Sequence, residues 1–207
     1  MIDQPVVILA NGDFPSHEVP LDRLQGANTI ICCDGSINNL FKNKMEPQHI
    51  LGDMDSIDDT LKNKYRDRII ELPDQNKNDL LKTIQWVENK GVKDAIILGA
   101  TGKRDDHSLA NIFTLLQHSS PLEMILYTNY GIFSVVQDEQ KFDSFIGQQI
   151  SLFATDPKIE VTSNNLKYNL NNKILTTLYN GSLNESTNEN FTLTLSHGKI
   201  LVYQVFA

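Results

Sequence analysis

Only two cysteines occur in the 207 residues, and they are adjacent: Cys32 and Cys33, inside the apolar run "TIICCD". Sequence neighbours rarely close a good disulfide. The pair therefore excludes a disulfide scaffold and predicts two reduced, buried thiols in a reducing compartment. Long hydrophobic runs are missing too. No stretch approaches the ~20 apolar residues needed to span a bilayer. The opening "MIDQPVVILA" has an early Asp and no basic flank, unlike a signal peptide. Positive charge is sparse: 18 Lys and Arg stand against 26 Asp and Glu, for a net charge of −8. Without a basic block, nucleic acid is not expected as a partner. There is no Walker A pattern and no dinucleotide G-x-G-x-x-G. Internal repeats and low-complexity linkers are also missing. The expectation is a soluble cytoplasmic protein with no membrane and no nucleic acid among its partners.

What is present divides in two. With 40% hydrophobic residues the chain can bury a core. Residues 1–128 alternate short apolar runs with helical patterns. The runs 6–10, 29–33, 49–51, 68–72, 94–100 and 122–128 read as buried strands. Leu80, Leu81, Ile84 and Val87 recur at helical spacing, with Lys82, Gln85 and Glu88 assigned to the opposite face, and a similar stripe runs through 106–118. Such alternation predicts an α/β unit, a Rossmann-like parallel sheet with flanking helices. Residues 129–207 carry no convincing helical period. Strands are predicted at 131–136, 148–155, 159–163, 191–196 and 199–205, with "SHGK" as a tight hairpin turn and Asn-rich loops at 163–173 and 180–190. This is a small all-β, sandwich-like domain. Trp86, the single tryptophan, is expected in the core of the first domain.

In an open parallel sheet, ligands bind beyond the carboxyl ends of the strands. Five predicted strands lead into unusual polar segments: "ANGDFP", "CDGS", "GDMDS", "PDQNKND" and "GATGKRDDH". One such ending would be an ordinary loop; five on one edge make a site. Asp34, Asp53, Asp55, Asp79 and Asp106 are hard oxygen ligands of the kind Mg²⁺ prefers. In an extended segment Asp53 and Asp55 would point the same way and repel, which a cation would relieve. Gly35, Gly52, Gly99 and Gly102 permit close backbone approach to a phosphate chain. Arg104, with Lys103 as a further candidate, could offset charge on a transferred phosphoryl group. The set points to Mg²⁺-dependent chemistry on a nucleoside triphosphate. Asp58 and Asp59 suit a helix N-terminus instead, and Asp79 could also be the N-cap of a helix beginning at Leu80.

Four segments in order, "CDGS", "GDMDS", "DQNKNDL" and "GATGKRDDHSLANI", resemble the motifs of the thiamine pyrophosphokinases. The usual forms are close to C-D-G-A, G-D-F-D-S, D-Q-x-x-T-D-L and G-A-T-G-G-R-x-D-H-x-L-x-N. The resemblance implies transfer of a pyrophosphoryl group from MgATP to the thiamine hydroxyl, giving thiamine diphosphate and AMP. It implies 1–128 as an α/β ATP- and Mg-binding catalytic domain and 129–207 as an all-β thiamine-binding and dimerisation domain of a homodimer. Asp53, Asp55 and Asp79 fall on its metal and triphosphate positions. Asp34, Gly35, Gln75, Gly102, Arg104, Asp106 and His107 fall on positions lining the nucleotide or the reacting groups, and the resemblance makes Asp53, Asp55, Asp79, Arg104 and Asp106 the catalytic set. Ser182 and Asn184 fall on the thiamine loop, with Tyr168 or Tyr179 as the aromatic that stacks on the ring. Several positions depart from the pattern. Lys103 replaces a glycine, and lysine tolerates φ > 0 poorly. Asn78 replaces a threonine, Asp105 stands at an often apolar position, and Leu183 replaces a serine. Two other readings remain: a different Mg²⁺-dependent nucleotide transferase, or a non-catalytic thiamine- or nucleotide-binding regulator.

Overall fold

The structure, a computed structural model, describes residues 2–119 and 121–207. It forms an α/β unit followed by a β unit, Met1–Asn129 and Tyr130–Ala207.

The first unit is built on six parallel strands: β1 (Val6–Leu9), β2 (Thr29–Cys33), β3 (His49–Gly52), β4 (Ile69–Glu71), β5 (Asp94–Leu98) and β6 (Glu123–Tyr127). Every residue of β1 and β2 is buried, which is why they read as unbroken apolar runs. Their order is β4-β3-β2-β1-β5-β6. The chain therefore builds outward one way from β1, then returns to its other side at β5. The carboxyl ends of β1 and β5 thus frame the crevice at which the strand order reverses. The helices are α1 (Glu18–Gln25), α2 (Ser36–Lys42), α3 (Asp59–Lys64), α4 (Asp79–Asn89) and α5 (Asp105–Gln117).

Three helical expectations need correction. The cap of α4 is Asn78, whose side chain accepts from the Leu81 amide, so Asp79 is the first helical residue and its carboxylate is free of capping duty. Lys82, expected on the polar face, is buried beside Leu80, Thr83, Ile84 and Val87. In α5 only Leu115 and Leu116 are buried and Leu109 is exposed, so the predicted stripe is covered along its C-terminal part alone. Asp58 caps α3 by accepting from the Thr60 amide, and Asp59 opens that helix. Cys32 and Cys33 are free and buried, and burial pushes the Cys32 thiol up to about 12.

Trp86 is half-buried, not fully in the core, and its ring lies 5.1 Å from that of His49. Burial holds His49 below its ordinary value of 6.5, because the charged imidazolium is poorly solvated there. The stability linked to this neutral ring is fully present above the unfolded pKa and is lost as pH falls through the lowered native one. Thermal melts of the parent are expected to drop between pH 7 and pH 5, and His49→Gln is expected to drop less over the same interval. Equal losses would remove His49 from the acid response.

The second unit contains β7 (Gly131–Asp143), β8 (Gln149–Phe153), β9 (Glu160–Asn164), β10 (Lys173–Ile174), β11 (Asn184–Glu185) and β12 (Asn190–Val205), all antiparallel where they pair. The hairpin expected at "SHGK" does not form. β12 is one 16-residue strand, and both of its halves pair with β7 across a bulge between Thr194 and Lys199. Gly198, at φ +68°, and Asp138, at φ +59°, accommodate that irregularity. The first half of β12 pairs on its other edge with β9 through Thr192–Leu195, and the second half with β8 through Leu201–Gln204. Behind the bend lies an apolar core of Phe142, Ile150, Leu152, Val161, Phe191, Leu193, Ile200 and Val202. The rings of Phe142 and Phe191 stack within it, with centroids 4.9 Å apart.

Candidate active site

Three carboxylates meet at the carboxyl edge of the parallel sheet. Asp34 follows β2, Asp53 follows β3, and Asp79 opens α4; one oxygen from each lies within 4.8 Å of the others. They line a cleft of about 490 Å³, together with Asn11 and Gly12 after β1, Gln75 to Asn78 except Asn76 in the loop before α4, and Gly102, Lys103 and Arg104 after β5. The floor is fixed by backbone lacing between the ends of β1 and β5. Ala10 N donates to Leu98 O (2.8 Å), Gly12 N to Gly99 O (2.6 Å) and Asp13 N to Thr101 O (2.8 Å). Gly102 sits at φ +80°, and a Cβ there would overlap the Asp13 carboxylate, so the turn demands glycine.

Each carboxylate has a different setting. Asp34 is only 4% exposed; its Oδ2 accepts from the Ser56 amide (3.2 Å), while its Oδ1 is buried without a protein partner. Burial first, and the neighbouring Asp79 charge second among the raising causes, push its pKa up. Asp53 is held below the ordinary carboxylate range chiefly by Gln75, whose Nε2 donates to Oδ2 (3.2 Å), and by the Asp55 amide (3.3 Å to Oδ1). Asp79 is paired with Lys82, whose Nζ lies 2.6 Å from its Oδ1 and also donates to Leu72 O (3.1 Å). An orphaned buried oxygen among three clustered hard donors fits a small divalent cation.

Asp55 stands outside this group. β3 ends at Gly52, and Met54 turns the chain at φ +67°, so the segment is not extended and Asp55 faces solvent. Asp106 lies at the start of α5 and grips Arg104: Nε donates to Oδ1 (3.1 Å) and Nη2 to Oδ2 (2.6 Å). This bidentate pair holds the Asp106 carboxyl down at about 2. Arg104 and His107 line the cleft; Gly35 does not, but packs behind it, where a Cβ would come within 2.8 Å of the Asn11 amide and of Ser56.

In the second unit, Ser182 donates to Tyr179 O (2.7 Å) and Asn184 is buried. The Asn184 amide is spent on the backbone of Tyr168, donating to its carbonyl (2.8 Å) and accepting from its N–H (3.0 Å). Tyr168, Tyr179 and Leu183 are exposed, and Leu183 sits at φ +59°.

The sequence assigns no site role to Asn11, Lys77, Asn78, Lys82 or Asn111, all of which line the cleft. Asn111 was legible as the last residue of "GATGKRDDHSLAN": one α-helical turn and a half beyond Asp106, it donates to Ala100 O (2.8 Å) and accepts from the Asn78 side chain (3.3 Å). The burial of Lys82 had no signal in helical periodicity, which counts every lysine as polar surface.

The fold and this edge define a two-part α/β protein whose carboxylate-lined cleft opens at the switch point of a parallel sheet. Two family models cover most of the chain in order: the thiamin pyrophosphokinase catalytic domain over residues 21–126 and the thiamin pyrophosphokinase substrate-binding domain over 131–203. The chain belongs to the thiamin pyrophosphokinase family. It is 27% identical over 160 residues to thiamin pyrophosphokinase 1 of Caenorhabditis elegans, a match covering 70% of this chain and 65% of the worm protein. It is 25% identical over 207 residues to thiamine pyrophosphokinase 1 of rice, covering 84% and 77% of the two chains. Among solved structures, thiamin pyrophosphokinase from Candida albicans aligns at a TM-score of 0.81 and 19% identity, over 97% of this chain and 89% of its own. The Bacillus subtilis thiamine pyrophosphokinase aligns at 0.79 and 19%, over 97% and 98%. No helix among the described residues is long and apolar enough to cross a membrane.

Proposed function

We propose that this protein transfers the pyrophosphoryl group of MgATP to the hydroxyl of thiamine, yielding thiamine diphosphate and AMP. The observation that carries the reading is the convergence of Asp34, Asp53 and Asp79 at the β-strand edge of a chain matched by both family models. The first unit, read as Rossmann-like from its strand order, is the ATP- and Mg-binding catalytic domain. The second, read as sandwich-like from the strand shared between β8 and β9, is the thiamine-binding and dimerising domain of a homodimer. Exposed Tyr168, Leu178, Tyr179 and Leu183 support an apolar contact role for it. The buried, unbridged cysteine pair supports a cytoplasmic setting.

Asp34, Asp53 and Asp79 would hold Mg²⁺, which when bound neutralises phosphate charge. Gln75 keeps Asp53 ionised and oriented through its amide. Asp55 contributes its backbone N–H to the same carboxylate, and its own side chain is left to reach an outer water or phosphate. Asp106 is a poor proton acceptor with its carboxyl at about 2; its part is to present the Arg104 guanidinium toward the cleft as a fixed fork. Gly102 lets that loop pass close to the ligand, and His107 closes the rim. The protein's share of the work is positioning and charge neutralisation, as in phosphoryl transfer generally. Ser182 and Asn184 shape the thiamine loop by fixing the backbone of Tyr179 and Tyr168.

The test is incubation of the full chain with thiamine and MgATP, with the products separated. Thiamine diphosphate and AMP in equal amounts are expected. Release of ADP or free pyrophosphate would assign a different transferase, and no turnover with retained ligand binding would assign a regulator.

A further inference from the structure

Four cationic side chains line the cleft: Lys77, Lys82, Lys103 and Arg104. Three are already matched by carboxylates. Lys77 faces Asp74 (3.7 Å), Lys82 pairs with Asp79 (2.6 Å), and Arg104 with Asp106 (2.6 Å). Lys103 is different. Its Nζ donates to the Asn11 carbonyl (3.0 Å) and to Asn11 Oδ1 (3.1 Å), both neutral acceptors, and it has no carboxylate partner among the described residues. Those bonds aim the ammonium across the mouth of β1 without cancelling its charge. An ammonium has three donors, so one remains for a ligand.

The backbone adds an independent observation. Lys103 sits at φ +56°, in the left-handed region that glycine enters freely and lysine enters at a steric cost. The turn itself gains nothing from a side chain there, because Gly102 immediately before it already takes φ +80°. Non-glycine residues held in this region cluster where a ligand is gripped. A net positive charge that stands unmatched, on a strained turn, in a chain of net charge −8, calls for an anion.

We propose that Lys103 binds the polyphosphate of the nucleotide through its ε-ammonium, with Asn11 as the residue that positions it. This rests on reading the cleft as a nucleotide site. Lys103 thereby favours a triphosphate over a monophosphate from the side of the cleft opposite the loop that carries Gln75.

The experiment is calorimetric titration of the full-length protein and its Lys103→Gly and Lys103→Arg variants with α,β-methylene ATP and with AMP, in Mg²⁺, alongside thermal melts. Lys103→Gly is expected to melt no lower than the parent, since glycine suits that φ. It should bind the triphosphate analogue about tenfold more weakly, the loss of one charge-assisted hydrogen bond. Its affinity for AMP should be unchanged, and Lys103→Arg should keep triphosphate affinity within a few-fold. Unchanged triphosphate affinity in Lys103→Gly overturns the assignment. So does an equal loss for ATP analogue and AMP with a lower melting temperature, which would make the side chain structural. Failure of the parent itself to bind the analogue would instead remove the nucleotide reading of the cleft, and this inference with it.

Discussion

Asp53→Asn is expected to lower kcat/KM for thiamine diphosphate formation by roughly 10²- to 10³-fold, the loss seen when one preorganised electrostatic group is removed from a reacting centre. The substitution is isosteric, and Asn can still accept from the Gln75 amide that holds Asp53 at 3.2 Å. The fold should therefore survive. Stability in the absence of metal should stay level or fall slightly, because the Asp53 charge is favourably held by the Gln75 amide and the Asp55 N–H, and Asn keeps only a neutral acceptor there. Mg²⁺ should raise the melting temperature of the parent and leave that of the variant nearly still. Near-parental turnover at limiting Mg²⁺ would show that Asp53 does not hold the metal.

The largest effect on stability is expected from Lys82→Met. Methionine keeps most of the apolar stem of a side chain that is 6% exposed, but removes the ammonium that sits 2.6 Å from Asp79. Breaking one side of a buried ion pair costs about 3–5 kcal/mol, and because the Asp79 side chain is 32% exposed we expect the low end, about 3 kcal/mol. For a chain of this size that is a fall of about 6–12 °C in the first unit's transition. Asp79→Asn in the Lys82→Met background should recover part of the loss, since the uncompensated charge is then gone. Urea titrations of the parent, Lys82→Met, Asp79→Asn and the double variant give the coupling directly. A single-variant loss below about 1 kcal/mol would mean that water already screens the pair. The Leu72 carbonyl also loses its donor in Lys82→Met, so the loop before α4 should loosen and the Mg²⁺ needed for half-maximal turnover should rise.

The parallel sheet was readable because both of its faces are covered: β1 and β2 have no solvent side to interrupt the apolar run. The second half of β7 was not readable. Its residues Gln137–Lys141 are polar and exposed, and they are a strand only because β12 supplies the ladder from more than 50 residues away. The same nonlocal pairing overrode the turn chemistry of Ser196–Lys199. At the site, the residues on the strand ends could be picked out by type and position, but not which of them meet. Asp55 shares its sequence neighbourhood with Asp53 and parts from it through a positive φ at Met54, a residue with no turn preference. Periodicity places Lys82 on the surface, whereas the Asp79 carboxylate and the Leu72 carbonyl hold its ammonium inward. The resemblance sets Asn184 in the thiamine loop, whereas in the fold its amide bonds to the backbone of Tyr168, a partner set by tertiary structure.

The strand shared by the two halves of the β unit also imposes an order on assembly. β7, β8 and β9 are all made before β12, and none of them pairs with another of the three; β12 is the partner they share, beyond the short pairings of β8 with β11 and β9 with β10. During synthesis these three strands must wait, with apolar residues such as Phe142, Ile150 and Val161 unsheltered, until Asn190–Val205 leaves the ribosome. Loop closures of this length make β assembly slow. A translational stop anywhere before Asn190 therefore yields three strands without the partner they share.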